Sequence, residues 1–228
     1  MADNENTAKP SRGVIVEFDF TAIDGSALLF DTAKKVLSRA GVELDIKLEA
    51  KHLVGGNYQG AIAELAETVG KKLDSSALAK ELSEEFAKAL AAAAPGAVTA
   101  GFKAFVDALL AKDLKVVIAT RVDREIMASA LDGYDPAKVV VHCEPFNTYG
   151  NCKWDAWRRI CSNNSLVDVL TACVTGSGKG VKAVLVAGMS AAAIIHDHVA
   201  YQDFGGADVL AEKFSAGLAE DVLRMLHM

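Results

Sequence analysis

The sequence lacks an apolar run of the length that a membrane span requires. A transmembrane helix needs about 20 consecutive apolar residues. Hydrophobic residues make up 51% of this chain, but polar and charged residues interrupt them throughout. Residues 1–12 are polar and contain no hydrophobic stretch of the kind found in a secretory signal. We therefore expect a disordered tail at 1–12, a cytoplasmic protein and no contact with a membrane.

A cluster of lysine and arginine residues is also missing. The chain has 24 basic and 30 acidic residues, which gives a formal net charge of −6. Nucleic-acid binding depends on basic side chains that neutralise phosphates, so we expect no nucleic-acid partner. A small anionic ligand stays open, because the charge of a pocket can differ from the net charge of the protein.

Cysteine pairs with the CxxC spacing of zinc sites and redox motifs are absent. We expect all four cysteines to be free thiols in a reducing cytosol. They are Cys143, Cys152, Cys161 and Cys173.

The apolar pattern begins with a strand and continues with a long helical block. Gly13 to Val16 form a short apolar run that is typical of a buried parallel strand. Residues 26–95 show helical spacing only, and Pro95 with Gly96 ends the block. Strands then alternate with helices. The predicted strands are Leu114–Ala119, Val139–Val141, Ala183–Val186 and a short segment at Asp208–Leu210.

This alternation predicts an α/β fold with a doubly wound parallel sheet and an inserted all-helical cap. The core would comprise residues 13–25 and 96–228, and the cap residues 26–95. Ligands bind such sheets at the carboxyl ends of the strands. The candidate site residues therefore follow the apolar runs, at Glu17–Asp24, Thr120–Asp123, His142–Glu144 and Gly188–Ser190.

The stretch GVIVEFDFTAIDGS, residues 13–26, resembles the first motif of the haloacid dehalogenase-like hydrolase superfamily. That motif is an apolar strand ending in Asp-x-Asp-Gly-Thr-Leu-x-Asp-Ser. In the matching register Glu17 stands at the nucleophilic Asp and Asp19 at the general acid/base. Thr21 matches the family's Thr, and Asp24 matches the Asp that closes the motif.

Later segments extend the resemblance over nearly the whole chain. VVIAT is similar to the second motif and puts Thr120 in the phosphate-binding role, and Lys153 matches the family's catalytic Lys. The fourth motif, Gly-Asp-Ser with a second acid four residues beyond the first, is placed on Gly188–Ser190 and Ala193. Met189 and Ala193 then occupy the positions of the two acids.

The resemblance implies a phosphomonoesterase of the phosphoglycolate phosphatase-like branch, with magnesium as the cofactor of an active enzyme. Its catalytic residues would be Glu17, Asp19, Thr120 and Lys153, and Glu17 and Asp19 would be the metal ligands if a metal binds. Its substrate-binding residues would be Thr21, Arg121 and Ser190.

A second register makes Asp19 the nucleophile. It reads Asp19, Phe20 and Thr21 as the Asp-x-Thr of cation-pumping ATPases. This register would put Glu17 inside a buried strand, where an unpaired carboxylate is costly.

The changed residues argue against efficient turnover. Glu in place of Asp adds a methylene at the nucleophile, and a displacement of about 1 Å can cost on the order of a hundredfold in rate. A thioether at Met189 is a poor magnesium ligand. Two positive charges, on Arg121 and Lys153, balance Glu17 and Asp19 without a dication. We therefore expect Glu17 to form an ion pair with Arg121 or Lys153.

Three functions follow from these observations. The first is an impaired or non-catalytic protein that binds a small phosphorylated or anionic molecule, or a protein partner. The second is an active phosphomonoester hydrolase that uses Glu17 or Asp19 with magnesium. The third is a scaffold protein with a vestigial cleft.

Two further motifs are interpreted as structural. GSGKG, residues 176–180, lacks the first Gly and the final Ser or Thr of a phosphate loop, and is predicted to be a loop entering the next strand. His196 and His198 flank Asp197, but residues two apart on a helix point to different faces, so we expect no metal there.

Overall fold

A parallel β-sheet forms the centre of the protein. The structure is a computed structural model that describes residues 11–53, 57–143 and 153–228. Within these ranges six strands pair in the order β3-β2-β1-β4-β5-β6, and every pair is parallel. The strands are β1 (Ser11–Glu17), β2 (Lys115–Thr120), β3 (Val139–Cys143), β4 (Leu166–Thr175), β5 (Ser190–Ile194) and β6 (Val209–Ala211). The predicted doubly wound α/β fold is confirmed.

Only helical elements are described between β1 and β2. They are α1 (Phe18–Thr21), α2 (Gly25–Arg39), α3 (Ile46–Leu48), a π-helical turn (Glu49–Leu53), α4 (Tyr58–Thr68), α5 (Ser75–Ala97) and α6 (Ala100–Leu110). We call the elements from α2 to α5 the cap. The helix α5 continues to Ala97, two residues beyond the predicted boundary, and Pro95 lies in its last turn.

The cap helices begin where polar side chains satisfy free backbone N–H groups. Asp24 accepts from the N–H of Ala27 at the start of α2, and Asp74 accepts from that of Ala77 at the start of α5. Such caps stabilise a helix by about 1 kcal/mol each. Asp24, which matched the last Asp of the first motif, therefore has a structural contact of its own.

The second half of the chain supplies four further helices among the described residues. They are α7 (Arg124–Ala130), α8 (Trp154–Asn163), α9 (Gly178–Val186) and α10 (Ala216–Met225), with a 3₁₀ turn at Asp197–Val199. Side chains alternate between the two faces of a strand. Ile15 of β1 therefore packs in a core with α8 and α9, and Val14 and Val16 pack in a second core with α6 and the cap. Both faces of the sheet are thus covered.

The sequence interpretation was wrong in one region of the core. It missed β4, and it assigned Ala183–Val186 as a strand although these residues lie in α9. It also assigned β5 as part of a helix. Two of its boundaries moved as well, because β1 begins at Ser11 rather than Gly13 and the short segment predicted at Asp208–Leu210 is β6, at Val209–Ala211. The predicted strands at 114–119 and 139–141 correspond to β2 and β3.

No single described helix is long and apolar enough to cross a membrane. The helices α5 and α6 reach that length and composition only as a pair, and their axes meet at 73°. Among the cysteines, Cys143, Cys161 and Cys173 are free thiols. Cys152 and Glu144 lie outside the described residues, as do residues 1–10.

Candidate functional site

The candidate site lies at the carboxyl ends of β1, β2 and β4. Strand order reverses at β1, which has β2 on one side and β4 on the other, and such switch points form the ligand crevice of doubly wound folds. Glu17 is the last residue of β1, and the short helix α1 follows it directly. The structure brings Glu17, Asp19, Thr120 and Arg121 together here, as the sequence predicted.

The carboxylate of Glu17 is buried and accepts hydrogen bonds from the end of β4. Its Oε2 accepts from the hydroxyl of Thr175 at 2.5 Å and from the backbone N–H of Gly176 at 3.3 Å. Burial raises the pKa of Glu17, while the hydrogen bond from Thr175 and the charge of Arg121 oppose that rise. Glu17 is therefore held by neutral donors of β4, which the sequence interpretation did not recognise as a strand.

Asp19 is equally buried and binds the end of β2. The hydroxyl of Thr120 donates to its Oδ1 at 2.5 Å, and the backbone N–H of Arg121 donates to its Oδ2 at 2.9 Å. The Nη1 of Arg121 lies 3.3 Å from the same Oδ2 and completes a salt bridge. Burial raises the pKa of Asp19, and the charge of Arg121 is the largest opposing effect.

Arg121 is turned into the crevice rather than towards solvent. Its side chain is 12% exposed, and its guanidinium lies 5.4 Å from the centre of the Phe20 ring, within the range of a cation–π contact. The sequence predicted an ion pair of Glu17 with Arg121 or Lys153. The salt bridge in the described structure goes to Asp19 instead, because the backbone N–H of Arg121 already directs this carboxylate to the end of β2.

Two hydroxyl groups predicted to contact the substrate are committed to the protein. Thr21 donates to the backbone carbonyl of Glu17 at 2.7 Å and so closes the single turn of α1. Thr120 donates to Asp19 and also accepts from the N–H of Val122 at 3.0 Å. Their phosphate-binding and substrate-binding roles stay predictions, and the described contacts are internal ones.

Ser190 and Met189 lie at the amino end of β5, so the structure does not bring them together with Glu17 and Asp19 as their assignment to the fourth motif predicted. Ser190 is the first residue of β5 and pairs with Ala172, three residues before the end of β4. In a parallel sheet the first residue of a strand lies at the edge opposite the carboxyl ends. Met189 is buried there, with its Sδ 3.5 Å from the Sγ of Cys173.

The strand that adjoins β1 on the side away from β2 is β4, and Thr175 is its last residue. Gly176 and Ser177 follow it directly, and Gly180 lies four residues beyond Gly176. This is the spacing of the two acids of the fourth motif, and glycine stands at both positions.

Two glycines of GSGKG, Gly176 and Gly178, allow close packing against neighbouring backbone. A Cβ at Gly176 would overlap the carbonyl oxygen of Phe20, and one at Gly178 would overlap that of Asp203. The N–H of Gly178 is bound by the side chain of Gln202 at 2.9 Å. The segment connects β4 to α9. It was predicted to be a loop entering a strand, and this was wrong because a helix follows it.

Lys153 lies just before α8, and its side chain is exposed. It adjoins residues 144–152, which lie outside the described part of the chain. Its predicted catalytic role therefore stays a prediction. The Nδ1 of His142, in β3, lies 3.3 Å from the Nδ2 of Asn164.

Magnesium, which the resemblance implies, does not fit the residues at this site. It prefers carboxylate, phosphate and water oxygens in an octahedral arrangement. The Glu17 oxygen that faces β4 already accepts two hydrogen bonds, and both Asp19 oxygens accept from β2. An acid at Gly176 would collide with the backbone of α1. Within the described ranges no group of three or more His, Cys, Asp or Glu side chains is placed to hold a metal.

Comparison with solved structures identifies the fold. A β-phosphoglucomutase from Clostridium difficile superimposes with a TM-score of 0.73 over 95% of this chain and 97% of its own, at 12% identity. A phosphonoacetaldehyde hydrolase-like protein from Oleispira antarctica gives 0.66 over 100% and 98%, at 18% identity. A haloacid dehalogenase-like protein from Agrobacterium tumefaciens gives 0.66 over 94% and 99%, at 15% identity.

The chain thus has the fold of the haloacid dehalogenase-like superfamily, and the resemblance noted in its sequence is confirmed at that level. No protein-family model matches the chain. No curated protein matches it either.

Sequence reasoning missed Thr175 and Gly176 because it missed β4. A signal was present, since residues 166–175 are rich in β-branched and apolar side chains and end at a Gly-Ser-Gly turn. Asp168 and Thr171 interrupt this run, and the pairing of β4 with β1 shifts register there.

Proposed function

We propose that this protein is a non-catalytic binding protein built on the haloacid dehalogenase-like fold. One observation carries the proposal. The two carboxylates that would perform the chemistry, Glu17 and Asp19, are buried and bound by donors of the protein itself. In an active phosphatase of this fold the same oxygens would bind the metal and attack phosphorus.

The chemistry of phosphoryl transfer supports this view. A carboxylate nucleophile needs an ionised oxygen directed at phosphorus, and burial favours the protonated form of Glu17. Cations must also neutralise the charge of the transferring group. Arg121 is already paired with Asp19, so its positive charge is shared between that carboxylate and any phosphoryl group beside it.

The ligand class that we propose is the small phosphorylated or anionic molecule predicted from the sequence. A guanidinium binds Asp19 beside two neutral donors, and the side chain of Arg121 that carries it is 12% exposed. Arg is suited to recognise phosphate and carboxylate groups. Arg121 is therefore the residue that we expect to contact such a ligand. A cytoplasmic location is part of the same proposal.

A turnover assay tests the lack of catalysis. Phosphate release from p-nitrophenyl phosphate and a panel of sugar phosphates is measured with millimolar magnesium for the wild type, Glu17→Gln and Asp19→Asn. We expect the three rates to be indistinguishable from the rate without protein. A wild-type rate that either variant abolishes would establish an active hydrolase and refute the proposal.

A thermal-shift assay tests binding with inorganic phosphate and the same sugar phosphates, in the absence of magnesium. A ligand that binds the native state raises its melting temperature by mass action. We expect a saturable rise for the wild type that is lost in Arg121→Gln. No rise with any of these compounds would favour the scaffold function instead.

A further inference from the structure

A buried contact joins the cap to the core away from the two catalytic positions. The side chain of Glu49, the first residue of the π-helical turn, is 0% exposed. Its Oε2 lies 3.1 Å from the Nε2 of His198, in the 3₁₀ turn that follows β5. A side chain of the cap thus meets one of the core, with 148 residues of chain between them.

The core side of this contact belongs to a segment that also touches the crevice. The Nε2 of His196, two residues before His198, lies 3.1 Å from the carbonyl oxygen of Thr21 in α1. Gln202, four residues after His198, binds the N–H of Gly178 at the start of α9. We call residues 196–202 the strap. The strap therefore connects the cap to Thr21, which follows β1, and to Gly178, which follows β4.

His198 stabilises a carboxylate that would otherwise be costly to bury. Burial raises the pKa of Glu49, and the hydrogen bond and charge of His198 oppose that rise. The ring of Phe30 packs beside the His198 ring, with the two ring centres 5.1 Å apart. The other oxygen of Glu49, Oε1, has no hydrogen-bond partner in the described structure. Glu49 thus depends on His198.

Loss of His198 would favour local movement of the π-helical turn away from the strap. A buried charge that loses its partner regains favourable interactions by reaching water. For Glu49 the route to water is movement of the π-helical turn away from the strap. Single π-helical turns are often found at functional positions, and this one carries the cap side of the contact.

We propose that the Glu49–His198 contact is a latch that holds the cap against the strap beside the crevice and so controls the access of ligands to it. This inference rests on the proposed binding function, since it assigns a gate to the same crevice. The latch gives a structural role to the motif at residues 196–198, which leads into the 3₁₀ turn. Each histidine of that motif contacts a different part of the protein.

Hydrogen–deuterium exchange of the full-length protein, without ligand, tests the latch. We compare the wild type with Glu49→Gln, His198→Gln and the double variant. Peptides that cover residues 18–24 and 176–180 are expected to exchange about five- to thirty-fold faster in each single variant. Peptides of β2 should be unchanged, because they report global unfolding.

Glu64→Gln provides a matched control. Glu64 also lies near a histidine, with its Oε2 3.6 Å from the Nδ1 of His52, but both residues belong to the cap. This variant is expected to leave exchange at the crevice unchanged. If it accelerates the crevice peptides as much as Glu49→Gln does, the effect is a general one of the cap and the latch is refuted.

The double variant decides whether the two residues act as one unit. If they do, its acceleration equals that of a single variant. Acceleration factors that multiply, or crevice peptides unchanged in all three variants, would overturn the proposal. If a single variant unfolds globally, the peptides of β2 also exchange faster. The crevice peptides of the double variant are then compared with those of the wild type. No phosphate ester is present, so discovery of hydrolase activity would refute the proposed function without changing this result.

Discussion

Replacing Arg121 by Ala removes the charged partner of Asp19 while leaving its other two hydrogen bonds. Asp19 keeps the hydroxyl of Thr120 and the backbone N–H at position 121. The carboxylate itself stays buried, with 1% of the residue exposed. The variant therefore isolates the contribution of the guanidinium.

Breaking a buried ion pair from one side costs about 3–5 kcal/mol. Because Asp19 retains two donors and Arg121 is 12% exposed, we expect a somewhat smaller loss, about 2–4 kcal/mol. In Asp19→Asn the amide oxygen still accepts a hydrogen bond, but no negative charge remains to be compensated. The double variant should therefore lose less stability than the sum of the two single variants, by about 1–3 kcal/mol.

Urea unfolding at neutral pH, followed by the fluorescence of the buried Trp157, measures this coupling. The exposed pair of Lys138 and Asp113, 3.0 Å apart, gives a control cycle. Its coupling is expected to stay below about 1 kcal/mol, because solvent screens exposed pairs. If Arg121→Ala and Asp19→Asn are additive within about 0.5 kcal/mol, the ion pair does not compensate the buried charge and the reasoning fails.

Three further predictions concern the same crevice. Folding raises the pKa of Glu17 above its ordinary value of 4.5. The stability that protonated Glu17 contributes is therefore fully present below pH 4.5 and is lost as the pH rises through the pKa of the folded state. Glu17→Gln should therefore gain stability relative to the wild type between pH 4.5 and 7 in urea unfolding, and a relative loss would contradict the assignment. Millimolar magnesium should leave the wild-type melting temperature unchanged. The double variant Glu17→Asp with Thr175→Asp should gain about 1.4 kcal/mol of folding stability when magnesium is present at ten times its dissociation constant for that variant. A saturable magnesium effect on the wild type would refute the conclusion that the site rejects the metal. Gly176→Ala should destabilise the fold by more than about 2 kcal/mol, because the added Cβ overlaps the carbonyl of Phe20. Gly60→Ala should stabilise the fold by about 0.5–1 kcal/mol, because Gly60 lies within α4 and has space for a Cβ. Equal urea midpoints for these two glycine variants would disprove the close packing.

Much of the site could be predicted because neighbouring parallel strands end at one edge of the sheet. An apolar run followed by Glu17 and Asp19, and another followed by Thr120 and Arg121, were enough to expect these four side chains in one crevice. The partner of Arg121 could not be predicted. That choice depends on the backbone N–H of residue 121, whose direction the sequence does not specify.

The β4–α9–β5 region could not be assigned from local pattern. Ala191–Ala193 have a high helix propensity, yet they form a central strand whose small side chains are buried. Residues 183–186 are an apolar run of strand length, yet they continue the helix that begins at Gly178. Short apolar runs of this kind fit either structure, and only packing against neighbours decides between them.

The sequence alone determined the parallel sheet, the helical insertion after the first strand and the carboxylates at the end of that strand. The periodicity of apolar residues carries this information, because burial on one face or on both leaves a local pattern. Only the tertiary structure decided which strand adjoins Glu17, and therefore that Thr175 and Gly176 donate to its carboxylate. Only the tertiary structure joined Glu49 to His198 as well. Contacts between residues so distant in the chain depend on how the elements pack together, and no local pattern records them.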